Sequence, residues 1–335
     1  MQKRTTITVD PINRIEGHLK VEAVAEGGEI KEAKCSGQLF RGFEIILLER
    51  DPRDAPLLVQ RVCGVCPVVH AQASALAVDA AFGLDGKIPE NGRIMRNLLT
   101  GAEFIHSHML HFYHLAALDF VDVTAAADYQ GDDSQLRSLS EFIARGELAP
   151  FSPRYEGDYR LSKADNQTCA AHYVRALEVR RLSHELLSIF GGKAPHQVGI
   201  VAGGCSEVPT ADKITAFLSK LTTLRRFIED AWLPDILRVA RAYPDYFEIG
   251  AGPKRYLSYG GFDLETKATD LLKRKRLIPS GLVDANLKLE PVNSDLIAEY
   301  VGHSWYEEAD SNLHPAQGKT CLLYTSDAAD EEDSV

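Results

Sequence analysis

The sequence predicts an α+β fold: a long-helix bundle core with an N-terminal β hairpin or sheet and peripheral strands. Near the N-terminus apolar and polar residues alternate, the period of a half-buried strand. Further on the apolar residues step by three and four, the period of an amphipathic helix. A 335-residue chain with 45% hydrophobic content can bury a large core, and no run of eighteen apolar residues diverts it into a membrane.

Residues 5–10 and 19–25 have strand character, with Leu19, Val21, Ala23 and Ala25 alternating against Lys20, Glu22 and Val24. Glu26-Gly27-Gly28-Glu29 then supplies a turn before another strand-like stretch, which predicts a hairpin. The period changes at Ile94, Leu98, Ala102, Ile105, Met109 and Phe112, the stripe of a long helix. Val179, Leu182, Leu186 and Ile189 predict a second helix, closed by Gly191-Gly192. Ile214, Phe217, Leu221, Leu224 and Ile228 predict a third, with Thr210 placed to cap its first turn. Residues 146–166 and 250–261 are rich in Gly and Pro and read as loops. No repeat of twenty to fifty residues occurs, so residues 1–320 read as one α+β unit and residues 321–335 as a separate tail.

The formal charge of −11 and the absence of a Lys/Arg cluster argue against nucleic acid as a partner. The tail holds five acids and no base, so the acidity is partly its property. The N-terminus lacks the apolar stretch of a signal peptide. Six cysteines with one CxxC do not form the dense pattern of a disulfide-stapled domain and read as reduced thiols. Cys35, Cys169 and Cys205 have no ligand-spaced neighbour and are expected to be small buried apolar residues.

The run Arg61-Val62-Cys63-Gly64-Val65-Cys66-Pro67-Val68-Val69-His70 supplies two thiols and an imidazole around a tight turn, the makings of half a soft-metal site. Alone, a CxxC fits a redox dithiol, half a zinc ribbon or part of an iron–sulfur site. No second CxxC occurs in the chain, which leaves a zinc ribbon without its other half.

Asp10-Pro11-Ile12-Asn13-Arg14-Ile15-Glu16-Gly17-His18-Leu19, Arg41-Gly42-Phe43-Glu44 and the RxCGxC…H run resemble the nickel–iron hydrogenase large subunit in order and separation. His108-Met109-Leu110-His111-Phe112-Tyr113-His114-Leu115 and Gly191-Gly192-Lys193-Ala194-Pro195-His196 extend the resemblance to about residue 320. It implies that large-subunit fold and a catalyst that interconverts H2 with two protons and two electrons. By the same resemblance Cys63 is a terminal nickel ligand, and Cys66 bridges nickel to an iron carrying CO and CN ligands. Soft thiolates suit such a centre. His70 is implied to donate toward the bridging sulfur, and Glu44 to bind Mg2+, a hard cation suited to carboxylate oxygen. Glu16 corresponds to the family's first proton-relay carboxylate; cleaving H2 heterolytically leaves a proton that needs a nearby acceptor.

His106, His108, His111 and His114 lie beside the apolar stripe and are expected to serve hydrogen-bonded packing, at a subunit contact if at all, rather than ligation. Ser107 stands where respiratory members of the family often carry Asp. The chain lacks the cysteines of an electron wire, so the resemblance implies an iron–sulfur small subunit as partner. It leaves open a cytoplasmic home or export with that subunit, with membrane association only through partners. The rival readings are a related quinone-reductase subunit of the complex I type, which lacks the metal thiolates, and a zinc-stabilised scaffold.

The family's other two nickel ligands come from a second CxxC that this chain does not contain. After His303-Ser304-Trp305-Tyr306 and His314-Pro315 the likeness stops, and Cys321 through Glu331 reads as translated sequencing-adapter sequence. The expectation is therefore a hydrogenase large-subunit region incomplete at its C-terminus, with Cys321 not a ligand and residues 321–335 not packed on the core. Expressed alone, such a chain is expected to be aggregation-prone and without a stable nickel–iron centre.

Overall fold

A computed structural model describes residues 4–39, 41–146, 157–250, 252, 254–300 and 312–317. The tail 321–335, Cys321 and His303 through Tyr306 lie outside the described residues. Where the sequence reads residues 1–320 as one unit, the chain divides into two: Met1–Ala251 with Phe262–Lys275, and Gly252–Gly261 with Arg276–Val335.

The first unit opens with an antiparallel sheet in the order β1 (Arg4–Val9), β2 (Leu19–Glu26), β3 (Glu29–Gly37). Gly27 and Gly28 both take positive φ, 64° and 85°, as a two-residue hairpin turn requires. None of the residues of the three strands is fully buried. That corrects the expectation for Cys35, which lies exposed on β3, whereas Cys169 is buried and Cys205 half-buried.

The helical layer follows as α1 (Pro67–Ala81), α2 (Glu90–Met109), α3 (Ser134–Ala144), α4 (Lys163–Gly191), α5 (Ala211–Phe227) and α6 (Leu233–Ala242). At 1.5 Å per residue the 29 residues of α4 span about 43 Å, and α2 and α5 both pack along it. The buried cluster includes Leu99 and Met109 of α2, Leu186 and Phe190 of α4, and Leu224 and Phe227 of α5. α2 and α5 each run on into a π segment, Leu110–Ala116 and Ile228–Trp232.

Three expectations shift. The buried ridge of α2 is Met95, Leu99, Ala102, His106 and Met109, about one residue round from the expected stripe, and Ile94 is 40% exposed. The reason is that the ridge also buries Arg96, paired with Asp79, and Glu103, bonded to backbone N–H groups, which no apolar pattern reveals. α4 begins inside the expected loop 146–166, because Ser162 accepts the Asp165 N–H at 3.1 Å and starts the helix. Thr210 does stand at the cap position of α5 but makes no cap hydrogen bond.

Arg96 joins α2 to its neighbours. Its guanidinium pairs with Asp79 of α1 at 2.7 Å and donates to Gly204 O at 2.8 Å in the short hairpin β4 (Ile200–Val201), β5 (Gly204–Cys205). Gly92 lets that hairpin close in, since a Cβ there would stand 3.1 Å from Gly204 Cα.

In the second unit β6 (Tyr256–Ser258) and β8 (Leu289–Glu290) flank β7 (Gly281–Val283) in an antiparallel sheet. Arg276 stacks over the Tyr259 ring and donates to its carbonyl at 2.5 Å.

Candidate metal centre

The CxxC occupies the joint between a 3-10 turn, Val59–Val62, and α1. Cys63 is extended (φ −143°, ψ 139°) and Cys66 stands at the N-cap of α1, followed by Pro67 at the first helical position, where a missing N–H costs nothing. The Cys63 sulfur accepts the N–H groups of Val65 and Cys66 at 3.3 and 3.4 Å, which fold the turn around it. Gln60, fully buried, ties the 3-10 turn down by donating to Pro56 O at 3.0 Å and to Gln197 O at 2.9 Å. The loop after Gly191-Gly192-Lys193-Ala194-Pro195-His196 is thereby fastened to the cysteine turn.

Glu16 reaches the same place from the loop between β1 and β2. That loop is closed by the Asp10–His18 pair at 2.5 Å and anchored by the Arg14–Asp119 ion pair. Glu16 is exposed, and its Oε1 lies 3.7 Å from Cys63 Sγ. One turn into α1, His70 Nε2 lies 3.7 Å from Cys66 Sγ. Four residues singled out by the sequence thus meet in two pairs that share one turn. Glu44 lies exposed in the first turn of the short helix Phe43–Ile46. Among the described residues no group of three or more His, Cys, Asp and Glu side chains is arranged to hold a metal ion.

The electrostatics of the turn separate the open readings of the CxxC. Burial, then Cys63, then the carboxylates of Glu103 and Glu16 push the Cys66 thiol up to about 12. An activated redox dithiol needs the opposite, a thiol lowered by a cation or a helix terminus. A soft thiol that resists ionisation until a cation arrives, as Cys66 does, suits a metal. Burial lowers His70, favouring a neutral ring able to donate one hydrogen bond toward sulfur.

Glu103 of α2 was not legible as a site residue. It is 4% exposed, and its two oxygens accept the Val68 and Val69 N–H groups at 2.8 and 3.0 Å. Burial raises its carboxyl to about 7 despite those two bonds. Its one signal in the sequence is its place between Leu99, Ala102 and His106 on the buried ridge, once that ridge is drawn correctly.

His106 and His108 are hydrogen-bonded as expected, whereas among the described residues neither buried ring nitrogen of His114 has a hydrogen-bond partner. His106 is buried, accepts from Arg180 Nε at 3.0 Å and lies over His184, the ring centroids 4.2 Å apart. His108 Nδ1 bonds Phe104 O at 2.8 Å, and His114 packs edge-on to Tyr173. His111 is exposed. The expected helical ridge of His108, His111 and His114 is broken where α2 opens into its π segment after Met109.

Comparison with known proteins agrees with this geometry. Residues 41–334 match the model of the nickel-dependent hydrogenase family, and residues 6–36 match a HoxL-like model. The chain is 41% identical over 327 residues to the periplasmic [NiFeSe] hydrogenase large subunit of Desulfomicrobium baculatum, covering 95% of this chain and 58% of that protein. It is 34% identical to the quinone-reactive Ni/Fe-hydrogenase large chain of Wolinella succinogenes, covering 97% and 60%. The solved Ni-Fe-Se hydrogenase from D. vulgaris Hildenborough in its oxidised state superposes with a TM-score of 0.81 at 43% identity, over 96% of this chain and 60% of that one. The chain therefore spans about 60% of the length of the relatives it matches. No helix among the described residues is long and apolar enough to cross a membrane. With its cysteine turn, its fold and its relatives in agreement, the chain belongs to the nickel-dependent hydrogenase family.

Proposed function

We propose that this chain is part of the catalytic large subunit of a nickel–iron hydrogenase, which interconverts H2 with two protons and two electrons. The observation that carries the reading is the shared turn at Cys63 and Cys66, with Glu16 3.7 Å from one sulfur and His70 3.7 Å from the other. Cys63 and Cys66 would supply two thiolate ligands to a nickel–iron centre. A nickel–iron centre, when bound, supplies the heterolytic cleavage of H2.

This chain's own residues hold and move the proton. Cys63 Sγ receives it, and Glu16 Oε1 is the acceptor within reach. Glu16 is exposed and can release it onward. His70 donates to Cys66 Sγ and keeps that sulfur from taking the proton instead. Glu44 binds Mg2+. Electrons leave through an iron–sulfur small subunit, the partner that a "large subunit" implies, and any membrane contact runs through partners.

Two thiols do not make a four-thiolate centre, so the 335-residue chain alone is expected to load no stable nickel–iron site. The test uses the intact subunit from the parent gene, purified with its small subunit. Nickel and iron together, with hydrogen-dependent dye reduction that disappears in Cys63→Ser, are expected; zinc alone would replace this reading with a scaffold. Glu16→Gln is expected to keep the metals and lose turnover at least tenfold, within the usual range for a general acid–base group. Unchanged turnover in that variant would remove Glu16 from the proton path.

A further inference from the structure

A helix normally satisfies its first N–H groups with the side chain of its N-cap residue. At α1 that residue is Cys66, and it makes no cap hydrogen bond; its sulfur faces His70 instead. Pro67 has no N–H, so Val68 and Val69 carry the first free donors. Both donate to one carboxylate, Glu103, which comes from α2, 34 and 35 residues further along the chain. Among the described residues these two N–H groups are its only hydrogen-bond partners.

We propose that Glu103 is a positioning residue for the metal centre: it caps α1 in place of Cys66, leaving the Cys66 sulfur free for metal and fixing its angle to His70. The proposal rests on the nickel–iron reading above. Two bonds to neighbouring N–H groups set both the tilt and the rotation of the first helical turn, where one would leave it a hinge. Cys66 immediately precedes that turn and His70 completes it, so the sulfur–imidazole contact is built on it. Glu103 lines a small pocket with Val65, Pro67, His106, Ser183 and Leu187, so a shortened side chain widens that space.

The test compares Glu103→Ala, Glu103→Gln and Leu187→Ala in the intact large subunit assembled with its small subunit. Leu187→Ala opens the same cavity and leaves the cap untouched. The readouts are nickel content and the infrared stretching bands of the iron's carbonyl and cyanide ligands, which respond to the geometry of the bridging sulfur. In Glu103→Gln one oxygen still accepts while the amide NH2 opposes the other N–H, so a band shift beyond the linewidth is expected at full nickel content. Glu103→Ala is expected to shift the bands further or to lose nickel severalfold, and Leu187→Ala to match wild type. If Glu103→Ala does not assemble, Glu103→Gln decides alone. Wild-type bands in both Glu103 variants, or an equal shift in Leu187→Ala, would overturn the proposal. Absence of the bands from the unmodified enzyme would instead bring down the nickel–iron reading itself, a failure visible before any variant is made.

Discussion

Glu103 and Asp235 are both buried carboxylates of the helical layer, and they keep different company. Asp235, on α6, is fully buried and accepts from Tyr113 Oη at 2.9 Å, His172 Nδ1 at 2.8 Å and Arg238 Nη1 at 2.6 Å. Its charge is answered by a guanidinium, and its donors come from the π segment after α2, from α4 and from α6. Glu103 accepts only from backbone N–H groups among the described residues, and it stands beside two thiols and near Glu16. One region is a closed polar hub that ties three elements together. The other is a cluster of acids and thiols without a paired cation among the described residues, the place proposed above for a metal. A polar group that completes its own partners tells of folding, whereas one left short tells of a ligand.

The comparison breaks most visibly at Asp235. Asp235→Ala leaves the buried Tyr113 hydroxyl without its acceptor and removes one partner of the half-buried Arg238 and His172, and is expected to cost about 2–3 kcal/mol, read as a lower urea midpoint; a loss below ~1 kcal/mol would make the hub dispensable.

Acid separates the regions next. Burial, with His184 and Arg180, lowers His106 to about 3 from 6.5, and His114 and His184 are lowered too. The unfolded chain therefore binds more protons than the folded one below pH 6.5, and stability falls as pH drops through that window. Glu103 works the other way: raised from 4.5 to about 7, it favours the folded state as pH falls across that interval. Thermal melting against pH is expected to show a net loss on acidification, steeper in Glu103→Gln and flatter in His106→Asn. A Glu103→Gln profile parallel to wild type would mean that this carboxyl keeps its ordinary pKa.

A smaller effect sharpens the contrast. Cys66→Ser in metal-free protein is expected to change stability by less than ~1 kcal/mol, although it removes a proposed metal ligand; a loss as large as that of Asp235→Ala would make the cysteine turn a structural element. Smallest of all, Arg181→Ala, which breaks an exposed pair with Glu185 on α4, is expected to leave the midpoint within error.

Much of this was legible beforehand, for reasons that vary by residue. The β2–β3 hairpin follows from Gly27-Gly28, because only a two-residue turn with positive φ joins such strands so tightly. The long helices follow from their stripes, but the buried face of α2 was misjudged, because Arg96, Glu103 and His106 are core residues by virtue of partners far away in the chain. Cys63, Cys66 and His70 stood out through their spacing and Glu16 only through the family resemblance, and the structure brings them to one turn. Glu103 did not, because a lone acid on a helix reads as solvated surface until the helix that it caps is placed against it. Cys35 misled in the opposite sense: small apolar residues are usually inside, but β3 belongs to a sheet without a fully buried residue.

The two π segments bear on which changes of length the chain tolerates. A π turn holds more residues than the α turn it replaces, so Leu110–Ala116 and Ile228–Trp232 carry slack in their winding. A single-residue deletion there is absorbed by tightening to α-helix. The same deletion in the middle of α4 would swing every side chain on one side of it by about 100° relative to the other. Length can drift at Ile228–Trp232, whereas within Leu110–Ala116 the drift is limited by Tyr113, whose hydroxyl donates to Asp235.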